Sequence, residues 1–251
     1  MARRTTVLAI TNQKGGVGKT LSTSAIGGTL SRRGNKVLFI DLDAQGHLSR
    51  TYLNSIPVET IADTFNEGVF PIIKLTDNLD IIPCNTDISM ISKALSGPSD
   101  RLILNDALKK IDGKYDYVVI DCPPSFDYIT TNAITAADYI LVPTQATKSC
   151  VDAISLLAEE CYMAAKEARI NGIFFVDYDS RPKIKRKMEA IIRNKYGSIV
   201  FNTPIRHCSK VDEAKDAMKD VVEYDPICNA AKDYVALVDE ILNMISNTTK
   251  A

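Results

Sequence analysis

The sequence lacks the marks of several large classes of protein. No run approaches eighteen apolar residues, so no transmembrane helix is expected. None of the six cysteines forms a CxxC pair or stands at zinc-ligand spacing from a histidine, and no secretory signal precedes the first predicted strand. We therefore expect reduced and mostly buried thiols. The formal net charge of −1 excludes a generic polycation.

What the 251 residues contain instead is a repeated order of strand, loop and helix. The apolar runs are nearly continuous and rich in β-branched residues, which is typical of strands buried on both faces of a parallel sheet. Gly34 is predicted to end the first helix, and Ser149 to cap the start of another. We predict strands at 5–11, 36–43, 79–83, 115–123, 138–144, 172–178 and 198–205, and the clearest helices at 19–33, 149–168, 183–195 and 229–246.

No low-complexity linker, internal repeat or composition break divides the chain. The alternation of strands and helices therefore predicts one α/β domain over residues 1–251, with a doubly wound, mostly parallel sheet and helices on both faces. The helix at 229–246 carries its apolar residues on one face, which predicts a packing helix that closes the domain.

The segment NQKGGVGKT, residues 12–20, lies between the first predicted strand and the first predicted helix. Its end, Gly18-Lys19-Thr20, fits the phosphate-loop pattern GxxxxGK[ST], although the first glycine of that pattern falls on Gln13. Glycines let backbone N–H groups close around phosphate oxygens, and we expect Lys19 to reach the β- and γ-phosphates. The predicted nucleotide contacts of this P-loop NTPase are Lys14, Gly15, Gly16, Val17, Gly18, Lys19, Thr20 and Leu21.

Acidic residues end two of the predicted strands. Asp41 and Asp43 follow the run VLFI, and Asp121 follows YVVI. The carboxyl ends of parallel strands share one edge of the sheet, so these side chains are expected beside the phosphate loop. A hydrophobic run that ends in Asp is the Walker B pattern, and Asp43 is placed to orient or polarise an attacking water. The predicted Mg²⁺ ligands are Thr20, Asp41 and Asp121.

Four segments in this order, KGGVGKT, DLDAQG, VVIDCPPS and ILVPTQ, resemble the deviant Walker A ATPases of the ParA/MinD group. The resemblance is greatest to the short ParA-type partition ATPases, and it runs from about residue 6 to residue 226. It implies ATP and Mg²⁺ as cofactors and a homodimer that sandwiches ATP. It also implies that Lys14 reaches the partner's phosphates in trans, that Lys19 acts in cis, and that Asp43 is required for hydrolysis.

Two later segments, FFVDYDSR and IRHCSKVDEA, resemble segments of the ParA type in particular. They place Arg181 and Lys210 where family members bind DNA without sequence preference. The same comparison puts Pro204 and Arg206 near the adenine pocket. The sequence departs from the family here, because Asp177 stands where Met is usual and Arg206-His207 where Pro-Arg is common.

Residues 181–195 hold seven basic residues and one acidic residue. As a helix, this stretch would turn its apolar residues Ile184, Met188, Ile191 and Ile192 inward and its basic residues outward, which predicts an electrostatic footprint for a phosphate backbone. No aromatic residues interleave the basic ones, which argues against base stacking. The predicted DNA contacts are Arg181, Lys183, Lys185, Arg186, Lys187 and Lys210.

Together these features predict an ATPase switch whose ATP-bound dimer binds nonspecific double-stranded DNA. A ParB-like partner would stimulate hydrolysis and release the dimer to move plasmid or chromosome cargo, in the cytoplasm and on the nucleoid. One alternative is a ParA-like ATPase that positions another cargo.

Three further alternatives fit the residues less well. A MinD-like membrane ATPase is disfavoured because acidic residues Asp233, Asp239 and Glu240 lie on the last helix. An iron protein would need a cluster-binding cysteine pair, and the spacing of Cys122 and Cys150 does not resemble one. The longer, self-repressing ParA type is disfavoured because the first strand begins within about five residues of the start.

Overall fold

The computed structural model describes residues 5–248, and the remainder of the predicted domain, 1–4 and 249–251, lies outside the described residues. Strands alternate with helices along these residues, as the sequence predicts. The seven strands are β1 (Thr6–Ile10), β2 (Val37–Asp41), β3 (Ile73–Lys74), β4 (Leu79–Ile82), β5 (Tyr117–Asp121), β6 (Tyr139–Thr144) and β7 (Ile170–Phe175).

One sheet contains all seven strands, in the order β3-β4-β2-β5-β1-β6-β7. Every pairing is parallel except that of the short edge strand β3 with β4. Strand β1 therefore lies at the centre of the sheet, between β5 and β6. Ile10 and Asp41 each pair with Asp121, so the phosphate loop and both acidic strand ends share one edge. The predicted doubly wound, mostly parallel α/β fold is confirmed.

Helices cover both faces of this sheet. Two short 3₁₀ turns, Pro98–Arg101 and Gly197–Ile199, add to them. The α-helices are α1 (Lys19–Arg32), α2 (His47–Tyr52), α3 (Ile61–Glu67), α4 (Ile88–Ala94), α5 (Ile103–Lys109), α6 (Tyr128–Ala136), α7 (Lys148–Ala164), α8 (Lys183–Tyr196), α9 (Lys210–Asp216), α10 (Val221–Tyr224) and α11 (Asn229–Thr248).

Of the two helix ends predicted from single residues, the end of α1 at Gly34 is confirmed and the start of α7 at Ser149 is not. Gly34 lies just beyond α1 with φ +87°, a conformation that glycine adopts without steric penalty, and α1 ends there as predicted. The predicted Ser149 cap is wrong. Helix α7 begins at Lys148 with Thr147 as its N-cap, and Ser149 Oγ accepts a hydrogen bond from Lys14 Nζ instead.

The predicted strand 198–205 is also wrong. Only one residue of it, Val200, forms a bridge to the sheet, opposite Ile173. Phe201 N and Ile205 N still donate to the carbonyl oxygens of Ile173 and Phe175, both at 2.8 Å. The backbone amides of Asn202 and Thr203 between them donate to the carboxylate of Glu240 at 2.7 and 2.8 Å. This side chain from α11 therefore interrupts the pairing with β7 and leaves 200–205 as an irregular segment beside that strand.

Helix α8 packs differently from its predicted inner face. Ile192 is fully buried and Met188 packs on the core, as expected, but Ile184 and Ile191 are 62% and 39% exposed. Since α8 covers the rim of the sheet beside β7, only a narrow stripe of the helix reaches the core.

Helix α11 closes the domain as predicted. Tyr234, Leu237, Val238 and Ile241 are buried against α1, and the Tyr234 hydroxyl lies 3.0 Å from Ser22 Oγ. No helix between residues 5 and 248 is both long and apolar enough to cross a bilayer. The packed faces leave the carboxyl edge of the sheet open to the loops that form the site.

Candidate nucleotide-binding site

The phosphate loop joins the end of β1 to the start of α1. Gly16 and Gly18 have φ values of +72° and +81°, a region that other residues rarely adopt. A Cβ on Gly18 would stand 2.8 Å from Val176 Cγ1, so the residue is limited to glycine by close approach as well. The loop therefore presents its backbone at the N-terminus of α1, where N–H groups and the helix dipole favour an anion.

Lys19 points into this loop rather than into solvent. The residue is 7% exposed, and its Nζ lies 3.4 Å from the carbonyl oxygen of Lys14. Burial lowers the pKa of Lys19, and the nearby Asp121 opposes that shift. A buried ammonium with one long hydrogen bond has capacity for further acceptors, as phosphate oxygens would supply.

Thr20 and Asp121 form a pair beside the loop. Thr20 Oγ1 donates to Asp121 Oδ2 at 2.6 Å, and Thr23 Oγ1 donates to the other carboxylate oxygen at 3.3 Å. Asp121 is fully buried, and burial together with the charge of Asp41 raises its pKa well above the usual range. A divalent cation at this point would offset the desolvation of the carboxylate.

Asp41 has a different set of contacts. Its carboxylate accepts hydrogen bonds from Ser49 N at 2.8 Å, Ser49 Oγ at 2.7 Å and Asp43 N at 3.1 Å. Burial raises the pKa of Asp41 to about 6. These bonds hold the start of α2 and the loop that carries Asp43. The geometry thus favours a positioning role for Asp41 over direct contact with a metal.

The oxygen atoms beside the phosphate loop suit a Mg²⁺ ion that also binds phosphates and waters. Among residues 5–248, no three His, Cys, Asp or Glu side chains gather as a metal site. Mg²⁺, however, is commonly bound by one or two carboxylates together with substrate phosphates and waters. The adjacent Thr20 hydroxyl and Asp121 carboxylate at the phosphate loop match that requirement.

A cleft of about 810 Å³ opens beside the phosphate loop. Asp43 lines it, and one of its carboxylate oxygens is held by the backbone N–H of Gln45 at 3.0 Å. Arg206 lines the opposite wall, fixed by a two-pronged ion pair with Asp233 on α11 at 2.7 and 2.8 Å. The predicted loop residues that line the cleft are Gly15, Gly16, Gly18, Lys19, Thr20 and Leu21.

Three predicted nucleotide contacts lie elsewhere. Val17 is buried under the loop at 1% exposure, and Pro204 precedes the cleft wall that begins at Ile205. Lys14 turns away from the cleft: its Nζ contacts Ser149 Oγ at 2.8 Å and Thr147 Oγ1 at 3.2 Å. The two lysines of the loop therefore occupy different environments within one subunit.

Several cleft residues were missed by sequence reasoning. Val176, Asp177 and His207 form part of the wall, with His207 Nδ1 2.6 Å from Asp177 Oδ1. Asp177 has φ +55°. Its sequence signal was that Asp stands here where the family usually has Met, and this difference could have marked the residue as part of the site. Other missed residues reach the cleft from α2 and from the region of α9 and α10, and no local motif marks them: His47, Arg50, Thr51, Lys215 and Lys219.

The predicted DNA-contacting residues lie on the surface next to this wall. Arg181 is ion-paired with Asp179, and Lys210 with Glu213. Lys183, Arg186 and Lys187 are exposed, and Lys185 is half-buried. We call Arg181, Lys183, Lys185, Arg186, Lys187 and Lys210 the basic surface.

The fold and site define a class of protein. A glycine-rich loop between a central parallel strand and a helix, with a buried lysine and a Thr–Asp pair, is the arrangement of P-loop nucleotide hydrolases. The model of the AAA domain family matches residues 5–175.

Similarity to known proteins narrows this class. The chain is 32% identical over 244 residues to the chromosome-partitioning ATPase Soj of Treponema pallidum, covering 94% of this chain and 96% of the relative. It is 34% identical over 255 residues to the chromosome partitioning protein ParA of Caulobacter vibrioides, covering 94% of each chain. The structure of cobyrinic acid a,c-diamide synthase from Mycobacterium smegmatis, with an ATP analogue and magnesium, superposes with a TM-score of 0.82 at 27% identity and 96% coverage of both chains.

The chain therefore belongs to the ParA-type partition ATPases within the AAA domain family. It is an ATPase, and its cofactors are ATP and Mg²⁺. The predictions of family, fold and cofactors are confirmed.

Proposed function

We propose that this ATPase segregates DNA by switching between two states. In the first state, an ATP-bound sandwich homodimer binds double-stranded DNA without sequence preference. A ParB-like partner then stimulates hydrolysis and releases the dimer, and repetition moves plasmid or chromosome cargo over the nucleoid in the cytoplasm. The partition role is supported by the relatives described as a chromosome-partitioning ATPase and a chromosome partitioning protein.

The observation that carries the DNA step is the basic surface at the start of α8. The first turn of α8, which the structure describes in full, contains no acidic residue. A helix N-terminus already carries positive potential, so Lys183, Lys185 and Arg186 add repulsion there, which the neighbouring Asp179 offsets in part. A phosphate group placed at this end would relieve that repulsion, so the arrangement favours a polyanion.

Hydrogen bonds also join the basic surface to the wall of the nucleotide cleft. Tyr178 N donates to Ile205 O at 2.9 Å, and His207 N donates to Tyr178 O at 3.2 Å. Lys185 Nζ lies 3.4 Å from the carbonyl oxygen of Asp177, which lines the cleft. A change in the cleft wall therefore displaces the start of the basic surface, and this contact supports nucleotide control of DNA binding.

The ion pairs of Arg181 and Lys210 do not prevent such binding. The Arg181 side chain is 89% exposed, and that of Lys210 41%. Solvent screens exposed pairs of this kind, so both cations can exchange a carboxylate for a phosphate with little loss of free energy.

In the hydrolysis step, bound Mg²⁺-ATP supplies the phosphoryl group and the electrophilic metal. Lys19 holds phosphate oxygens from within the same subunit, and Thr20 with Asp121 would hold the metal. Asp43, fixed by Gln45 N, orients the attacking water. Lys14 must first leave Thr147 and Ser149, and we expect it then to reach the phosphates bound by the second subunit of the dimer.

The test is retention of random-sequence duplex DNA with ATP, with ADP and without nucleotide, over a range of salt concentrations. ATP-dependent binding that weakens steeply with salt is expected. Equal binding with ADP, or none with ATP at low salt, would refute the switch. Retention on anionic lipid vesicles in place of DNA would favour a membrane-positioning ATPase.

A pair of variants tests the surface itself. Lys183→Ala with Arg186→Ala should lower the slope of log affinity against log salt by about 0.9 for each phosphate that the variant no longer neutralises. Lys93→Ala on α4 is the matched control, because it removes an exposed lysine on the β4 side of the sheet, away from α8. Equal slopes for both variants would exclude the start of α8 from the DNA interface.

A further inference from the structure

Lys14 of the phosphate loop is fully engaged within its own subunit. An ammonium group carries three N–H donors. Lys14 Nζ contacts three acceptors at the start of α7: Ser149 Oγ at 2.8 Å, Thr147 Oγ1 at 3.2 Å and Cys150 Sγ at 3.4 Å. We call Thr147, Ser149 and Cys150 the resting site. Lys14 therefore cannot donate to a phosphate without giving up contacts that it already has.

The resting site holds a cation at a place where a helix favours an anion. Helix α7 is 17 residues long, its first turn contains no acidic residue, and its first residue, Lys148, adds a positive charge there. The partial positive charge of the helix N-terminus repels an ammonium group. The three acceptors are two hydroxyls and a sulfur rather than carboxylates. Hydrogen bonds thus hold Lys14 against an unfavourable potential, and phosphate oxygens, which form stronger charge-assisted bonds, are a better partner for it.

Thr147 is the N-cap residue of α7, but its hydroxyl does not cap the helix. Its backbone is extended, with φ −131° and ψ 155°, as is usual for an N-cap residue, yet its side chain makes no hydrogen bond to the first turn. The hydroxyl meets Lys14 Nζ instead. When Lys14 departs, this hydroxyl is free to turn and accept a hydrogen bond from a backbone N–H of the first turn. One side chain thus has two alternative partners.

We propose that the resting site holds Lys14 in the free subunit and thereby opposes formation of the ATP dimer. This inference rests on the proposed function, in which Lys14 reaches the phosphates bound by the second subunit. Each subunit must release its own Lys14 before the dimer is complete, and Thr147 then caps α7. Gln13 Nε2 donates to Glu160 further along α7, so the loop and the helix remain joined while Lys14 moves. Thr147 and Ser149 are positioning residues, because they act on the reaction through Lys14.

The variant Ser149→Ala measures the strength of the resting site, because it removes the shortest of the three contacts. Loss of one such hydrogen bond should favour the release of Lys14 by about 2–10-fold. Two lysines are released for each dimer, so the dimer dissociation constant with Mg²⁺ and a non-hydrolysable ATP analogue should fall by about 4–100-fold. Analytical ultracentrifugation over a series of protein concentrations measures that constant.

Two further variants control for changes in α7 itself. Ser155→Ala removes a hydroxyl from the same helix, where it contacts Tyr196 and Lys195 rather than the phosphate loop, and it should leave the dimer dissociation constant unchanged. Ser149→Thr keeps a hydroxyl at the resting site and should restore a constant near that of the wild type. An unchanged constant for Ser149→Ala, or an equal fall for Ser155→Ala, would overturn the proposal.

The reactivity of Lys14 tests the resting site in the free subunit, without nucleotide or a dimer. The full chain is labelled briefly with acetic anhydride, and peptide mapping by mass spectrometry gives the acylation rate of Lys14 relative to that of the exposed Lys93 on α4. Acylation requires a released amine, so Ser149→Ala should raise this ratio by about 2–10-fold. A ratio equal to that of the wild type would overturn the resting site.

These measurements separate failure of the resting site from failure of the proposed function. If Lys14→Ala forms ATP dimers of wild-type stability, the trans role of Lys14 fails and this inference fails with it. If Lys14→Ala forms no ATP dimer while Ser149→Ala changes neither the acylation ratio nor the dimer dissociation constant, the trans role stands and the resting site alone is overturned.

Discussion

Replacing Gly18 with alanine should be the most destabilising alanine substitution among the glycines of the phosphate loop. Its φ of +81° costs a non-glycine residue about 1–2 kcal/mol. The new methyl group would also stand 2.8 Å from Val176 Cγ1, and overpacking of that kind costs about 1–3 kcal/mol. The lower entropy of the unfolded alanine chain offsets about 0.4–1 kcal/mol. The free energy of unfolding should therefore fall by about 1–5 kcal/mol.

Two neighbouring glycines separate these effects. Gly16 shares the positive φ, at +72°, but no described atom lies within 4 Å of a Cβ built there. Gly16→Ala should therefore lose only the strain of about 1–2 kcal/mol, reduced by the same entropy offset of about 0.4–1 kcal/mol. Gly15 has neither feature, and Gly15→Ala should change stability by no more than about 0.5 kcal/mol. Val176→Ala in the Gly18→Ala background should recover the overpacking but not the strain.

Urea or guanidinium unfolding of the three variants and the double variant measures this series. Equal stabilities for Gly15→Ala and Gly18→Ala would refute the geometry of the loop. A Val176→Ala change whose effect is the same in the wild-type and Gly18→Ala backgrounds would refute the contact between the loop and the cleft wall. ATP-analogue binding, measured on the same proteins, should be most impaired by Gly18→Ala, since the methyl group displaces a wall of the cleft.

Four other substitutions test individual side chains. Lys19→Ala should abolish ATP binding measured by titration calorimetry, since the buried ammonium is lost; unchanged affinity would contradict its assignment. Lys14→Ala should bind ATP as a monomer but fail to form the ATP dimer in light scattering, and dimers of wild-type stability would remove its trans role. Asp43→Ala should keep the dimer and slow hydrolysis by roughly 100-fold or more; wild-type turnover would exclude it. Glu240→Ala should lose about 1–3 kcal/mol in denaturant unfolding, because two backbone amides lose their acceptor, and Glu240→Gln, which retains one acceptor oxygen, should lose less.

The sequence predicted the elements whose causes are local. The continuous apolar runs of β2 and β5 and the glycines at 15–18 determine strand, loop and helix within a few residues of themselves. Their order in the chain then placed Asp43 and Asp121 at one edge of the sheet, because parallel strands end together.

The predictions that were wrong failed because of contacts with residues far away in the sequence. Residues 198–205 are apolar enough for a strand, but Glu240, on the last helix, takes the amides of Asn202 and Thr203. Ser149 has the chemistry of a helix cap, but Lys14 occupies its hydroxyl. Ile184 fits an amphipathic pattern, but α8 lies beside the edge strand β7 and leaves this side chain exposed.

The same division separates the two lysines of the phosphate loop. The sequence alone predicted where Lys19 points, because a lysine after Gly18 at the start of a helix lies at the phosphate loop. Only the tertiary structure decided where Lys14 points, since Thr147 and Ser149 lie at the start of α7, more than 130 residues further along the chain. Local backbone geometry is encoded by neighbouring residues, whereas side-chain contacts depend on which distant elements the fold brings together.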